Sequence, residues 1–189
     1  MSQMIPVEGL WAEGYVFDKY SVSSEFLGED VFGHPQFKTT YTEVGKLLHA
    51  MKYNGHFNTS ETIADMCLSS LKTWLEGKTI DIILPAPPSS DRVMQPVYMI
   101  AEAIAERLHI PYSDEVLQKT NDAPAKNMPK DSKNLSGSII ELKPAKRKCS
   151  ILLIDDFYST GNTANECVSV LKSDPLVENV YYFAIAKTK

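Results

Sequence analysis

Residues Ile151 to Thr163 read ILLIDDFYSTGNT, and the order of residue types in this stretch decides the fold class. Four apolar residues in a row mark a short strand buried on both faces. Two adjacent carboxylates follow, then a small hydroxyl-rich turn around Gly161 that opens a helix. A helix start presents unpaired backbone N–H groups, Gly161 lets the backbone approach closely, and Ser159, Thr160 and Thr163 add hydroxyl donors, so the turn suits a phosphate monoester. The helix dipole contributes roughly 0.3–1 kcal/mol. Several charge-assisted hydrogen bonds of roughly 1.5–3 kcal/mol each must supply the rest. Asp155 and Asp156 repel anions but accept strongly from vicinal hydroxyls such as those of ribose, so sugar and phosphate would lie end to end. An ordinary capped turn draws on the same residue types, but two acids and three hydroxyl residues around one glycine exceed what capping requires.

Outward from this stretch, helical spacing over Asn162 to Lys172 and an apolar run at Val180 to Ile185 complete a βαβ unit. Upstream, Ile80 to Leu84 reads as a strand ending in PAPPSS, where prolines and serines force a turn. Val97, Ile100, Ala101, Ile104, Ala105 and Leu108 then space a crossover helix. Two further helices precede these elements, Thr42 to Lys52 with Thr42 as cap, and Ser60 to Leu75. Val116 and Leu117 suggest a brief strand. Lys119 to Lys133, with two prolines, two asparagines and four lysines, reads as a long mobile loop, and loops of that length are usually functional lids or disordered segments. Strands alternating with helices predict an α/β fold with a mostly parallel central sheet flanked by helices, whose ligands bind beyond the carboxyl ends of the strands. The aromatic run from Leu10 to Val22 has a period near two and predicts an extended piece or hairpin. Ser24 to Thr40, interrupted by Gly28, Gly33, Pro35 and acids, reads as a surface segment. A length of 189 residues supports one domain over 1–189, with 1–40 as an N-terminal extended or hairpin segment and 41–189 as the core.

Composition narrows the function. The formal charge is −5, so no uniformly basic surface exists to neutralise a nucleic-acid backbone. Only Gln118 to Lys148 is basic, with eight Lys or Arg against Asp122, Asp131 and Glu141. Cys67, Cys149 and Cys167 are far apart, odd in number and form no CxxC, which argues against a zinc ribbon or a disulfide framework and for a reducing cytoplasmic setting. The opening MSQMIPVEGLWAEG has no basic start followed by an apolar run, and no later stretch approaches about 18 apolar residues. A protein neither exported nor membrane-embedded is expected. The four histidines show no metal-ligand spacing. The GKT triplet at Gly77 to Thr79 lacks the upstream glycine of a P-loop and precedes its strand. Lys52 and Tyr53 read first as helix-end charge and a half-buried ring.

Four apolar residues, two acids, variable positions that include Phe157 and Tyr158, then Thr160-Gly161-Asn162-Thr163: this order resembles the phosphoribosyl pyrophosphate motif of type I phosphoribosyltransferases. From about Tyr41 onward the chain resembles the ComF family of phosphoribosyltransferase-like proteins, through LLHAMKYNG at Leu47 to Gly55, DIILPAPPSS at Asp81 to Ser90, and the ending NVYYFAIAKTK. The resemblance implies Asp155 and Asp156 on the ribose hydroxyls as the catalytic pair, and Ser159, Thr160, Gly161, Asn162 and Thr163 on the 5-phosphate. It brings the loop of Pro87, Ser89, Ser90 and Arg92, and the lysines Lys126, Lys130 and Lys133, towards pyrophosphate. It also implies magnesium bridging pyrophosphate and ribose oxygens without a protein cage. Tyr158 stands to stack on a base or ribose, or to pack internally.

Three departures from the family stand out. The amino-terminal zinc ribbon is absent, the arginine-rich tract before Asn-Leu is PKDSKNL, and the basic stretch after the first strand is SSDRVMQP. The implied activity is transfer of a phosphoribosyl group to a nitrogenous acceptor with release of pyrophosphate. The alternative is a non-catalytic module sensing a ribonucleotide or phosphoribosyl pyrophosphate, linked to DNA uptake by the family name. Expected partners are the donor or a ribonucleotide and a second copy of the chain, with neither membrane nor nucleic acid.

Overall fold

The period-two run near the N-terminus forms a strand, and that strand belongs to the central sheet. In the computed structural model, which describes residues 4–88, 94–120 and 138–188, β1 (Ile5–Pro6) turns antiparallel onto β2 (Gly14–Lys19). The chain then leaves the sheet as a ribbon of β3 (Ser21–Glu29) and β4 (Pro35–Tyr41). The glycines and acids that interrupt periodicity over Ser24 to Thr40 therefore make a hairpin, and it lies at the surface as expected, with most of its residues exposed. Gly28 sits at a register shift with φ +116°, and the Asp30 carboxylate caps the turn by accepting from the N–H groups of Phe32 and His34 at 2.8 and 3.0 Å. Phe26 and Phe37 pair across the ribbon at 5.5 Å.

Helix α1 (Glu43–Asn54) starts where expected, with Thr42 Oγ1 accepting from the Gly45 N–H and Gly55 closing the end at φ +71°. Helix α2 (Thr59–Leu75), strand β5 (Ile82–Pro85) and helix α3 (Pro96–Leu108) follow, with a proline at the start of α3 where its missing N–H costs nothing. A short antiparallel pair, β6 (Leu117–Lys119) and β7 (Ile139–Glu141), comes next. Strand β8 (Cys149–Tyr158), helix α4 (Asn162–Leu171) and strand β9 (Val177–Lys187) complete the chain. Most of the predicted Lys119 to Lys133 loop lies outside the described residues.

The central sheet has the order β1-β2-β9-β8-β5, parallel throughout except for the β1 edge. The pleat divides the buried strand residues into two layers. Leu152, Ile154, Phe183, Ile185 and Phe17 pack with Leu48, Ile63, Leu71, Ile100 and Ile104 of α1, α2 and α3. Ile151, Leu153, Tyr182, Ala184 and Val16 pack with Val168 and Leu171 of α4. Trp11 completes the second layer at 7 % exposure, with glycines on either side. A Cβ on Gly9 or Gly14 would lie 2.3 or 2.1 Å from its indole. The N-terminal aromatics Trp11 and Phe17 are thus core residues. Among the described residues no helix is long and apolar enough to cross a membrane.

Candidate functional site

Strand β8 does not end at Ile154. It continues through Asp155, Asp156, Phe157 and Tyr158 because β9 goes on pairing alongside it, Asp155 opposite Ala184 and Tyr158 opposite Lys187. The two carboxylates therefore sit within a strand rather than in a turn, and the pleat sends them to different neighbours. Asp155 Oδ2 accepts from the Tyr182 hydroxyl at 3.3 Å and its Oδ1 from the Asp156 N–H at 2.8 Å. Asp156 Oδ2 meets Lys52 Nζ, from α1, at 2.6 Å, and that ammonium also lies 4.2 Å from the centre of the Phe157 ring.

Environment acts strongly on Asp155. Burial, and then the neighbouring Asp156 charge, push the Asp155 carboxyl up to about 7. Burial and the adjoining Asp155 hold the Tyr182 phenol well above its ordinary value, so Tyr182 keeps its proton and donates a hydrogen bond to Asp155. Trp11 stacks on Tyr182 at 4.5 Å and anchors itself through a 3.0 Å bond from Nε1 to the Val7 carbonyl.

After Tyr158 the chain turns through Ser159 and Thr160 to Gly161, whose φ of +78° places it as the cap of α4. A Cβ there would lie 3.0 Å from the Tyr158 ring, so both conformation and space require glycine. The first-turn N–H groups of Asn162, Thr163 and Ala164 have no intrahelical acceptor. No acidic residue in that turn offsets the positive end of the helix dipole. Together, carboxylates and turn line a cleft of about 290 Å³ bordered also by Ala86, Pro87, Lys52 and Lys119. It lies beyond the carboxyl ends of β5 and β8, where ligands of open α/β sheets bind.

No protein-family model matches the sequence, and no curated protein matches it. Among solved structures the chain is similar to adenine phosphoribosyltransferase from Leishmania tarentolae, with 11 % identity, 98 % of this chain and 94 % of that one covered, and a TM-score of 0.50. The fold is that of the type I phosphoribosyltransferases. Similar too are adenine phosphoribosyltransferase from Saccharomyces cerevisiae, at 11 % identity, 88 % and 85 % coverage and a TM-score of 0.49, and UMP synthase of Leishmania donovani, at 16 %, 87 %, 28 % and 0.42. The chain thus spans 28 % of the length of that UMP synthase.

On this phosphoribosyltransferase fold the expected residues Asp155, Asp156, Tyr158, Ser159, Thr160, Gly161, Asn162, Thr163 and Pro87 converge on one cleft. Ser89, Ser90, Arg92, Lys126, Lys130 and Lys133 lie outside the described residues. Tyr158 packs edge-on against Trp11 at 6.5 Å and beneath Gly161. Lys52 is more than helix-end charge, since it meets Asp156 across the cleft. Lys119 is the first residue of the lysine-containing loop that the resemblance brings towards pyrophosphate, and it lines the cleft, whereas Tyr182 is a site residue that the sequence does not single out. Nothing local marks Tyr182, because it reads simply as strand.

Proposed function

We propose that the cleft binds phosphoribosyl pyrophosphate and transfers its phosphoribosyl group to a nitrogenous acceptor. One observation carries the reading: a carboxylate pair and a glycine-capped, donor-rich helix start lie end to end in one cleft, the layout a ribose 5-phosphate requires. Asp155 and Asp156 would accept from the ribose hydroxyls, and the Ser159 to Thr163 turn would hold the 5-phosphate. The bond from the anomeric carbon to pyrophosphate breaks with its electron pair leaving on pyrophosphate. A bond from the acceptor nitrogen forms on the opposite face, and the acceptor releases its proton. The protein's part is to align both ends of the donor and keep water out.

Magnesium would be held through the donor's own oxygens rather than in a protein cage, as suits an ion that keeps few protein ligands; among the described residues no group of three or more potential ligands gathers, and Asp155 and Asp156 are left to the ribose hydroxyls. When bound it supplies charge neutralisation on the departing pyrophosphate. The order of LLHAMKYNG, DIILPAPPSS and the C-terminal strand supports a ComF-like subtype. A cytoplasmic setting and a homodimer belong to the same proposal.

Calorimetric titration of phosphoribosyl pyrophosphate with magnesium tests it. The wild type is expected to bind, and the Asp155→Asn, Asp156→Asn double variant to lose about 10² to 10⁴ in affinity. A screen of nucleobases for pyrophosphate release then separates transfer from binding alone. Absence of binding to the folded wild type would sink the proposal.

A further inference from the structure

We infer that Glu166 is a positioning residue that ties the strand pair carrying Lys119 to the helix opening the phosphate turn, and so holds Lys119 at the cleft as a cation for the donor's phosphate groups. The inference rests on the donor-site reading above.

Glu166 lies on α4, one turn past Asn162. Its carboxylate accepts three hydrogen bonds from the start of β7. Oε1 takes the Ser138 N–H at 2.6 Å and the Ile139 N–H at 3.1 Å, and Oε2 takes the Ser138 hydroxyl at 2.9 Å. Ser138 is buried, so these donors would otherwise lack solvent as a partner. Ile139 sits directly opposite Lys119 in the β6–β7 ladder. The Thr120 N–H closes the same unit on the Ser138 carbonyl at 2.7 Å. Hydrogen bonds therefore run without a break from α4 through Glu166 and Ser138 to Thr120, the residue that follows Lys119.

A two-stranded ladder of three residues a side is too short to stand alone. Its apolar anchors, Leu117 and Ile139, fix its depth on the α4 layer. Directional bonds are needed to fix where along α4 it sits, and the Glu166 carboxylate supplies three. Among the described residues two lysines line the cleft, Lys119 and Lys52, and Lys52 is engaged by Asp156. The helix that carries the anion-binding turn thus also sets the position of a cation over it.

The test is a double-mutant cycle on donor affinity, with phosphoribosyl pyrophosphate and magnesium titrated into wild type, Glu166→Ala, Lys119→Ala and the double variant. Each single variant is expected to weaken binding by about tenfold to about a hundredfold, the loss of one charge-assisted contact. Glu166→Ala is expected to cause no further loss in the Lys119→Ala background, since its effect passes through Lys119. Glu166→Gln, which keeps an acceptor for both amides and can bond the Ser138 hydroxyl, should restore affinity to near wild type. Thermal melting checks that each variant is folded, and Ser138→Ala serves as a milder second lesion expected to give a smaller loss of the same kind. Full additivity of the two losses, or a Glu166→Ala variant that binds like wild type, would overturn the inference while leaving the donor reading intact. A folded wild type that does not bind would overturn the donor reading, and the inference with it.

Discussion

The Lys52 ammonium and the Asp156 carboxylate meet at 2.6 Å with side-chain exposures of 18 % and 15 %, so α1 and β8 are joined at the cleft by a largely desolvated ion pair. At such exposure salt screens weakly, and removing one partner leaves the other charge poorly solvated.

Lys52→Met should therefore destabilise the protein by about 1.5–3 kcal/mol, read as a lower urea midpoint. Paired with Asp156→Asn in a cycle, the two losses should fall short of additive by about 1 kcal/mol or more. Strict additivity would mean that the pair contributes nothing.

Asp155 predicts opposite pH slopes for stability and binding. The unfolded chain releases this proton near its ordinary value of about 3.9, whereas the folded chain holds it up to about 7. Between those values the folded state binds more protons, so its contribution to stability falls as pH rises. Urea unfolding at several pH values should show this decline, and Asp155→Asn should flatten it. Donor affinity should rise over the same interval, since an ionised carboxylate accepts better from ribose hydroxyls. A variant with the wild-type slope would assign the pH dependence to other groups.

Gly161→Ala places a Cβ 3.0 Å from the Tyr158 ring at a φ of +78°. A loss of about 1–2 kcal/mol is expected from the backbone alone. Affinity for ribose 5-phosphate should fall as well, because the turn must shift to relieve the contact. Differential scanning calorimetry and titration with ribose 5-phosphate check the two effects, and unchanged affinity would place the phosphate elsewhere.

Trp11→Ala should lower stability by about 3–5 kcal/mol, measured by denaturant unfolding. Trp11 is buried, stacks on Tyr182 and supports the residue that donates to Asp155. Because Tyr182 would lose its support, the pH slope attributed to Asp155 should shift in the same variant. A loss below about 1 kcal/mol would show that the N-terminal segment lies on the core without stabilising it.

Much of the element order was legible because the forces that set it are local. Hydrophobic period, a threonine cap and a proline- and serine-rich turn act within a few residues, and they marked α1 to α4, β5, β8 and β9. The phosphate turn was legible for the same reason: its donors, glycine and carboxylates are consecutive. The ribbon of β3 and β4 was not, because its glycines and acids serve a bulge and an Asp30-capped turn, chemistry that erases the period-two pattern.

By itself, the sequence determined the alternation of strands and helices and the composition of the anion-binding turn, since both depend on neighbours along the chain. Only the tertiary structure decided that β2 joins the central sheet beside β9, and that β8 extends through both aspartates. Only there does Lys52 meet Asp156, Tyr182 donate to Asp155, and Glu166 hold the base of the Lys119 strand. Each of these joins residues distant in sequence. Their energies come from burial and from contacts between side chains that the packed sheet brings together, and no local pattern encodes the partner.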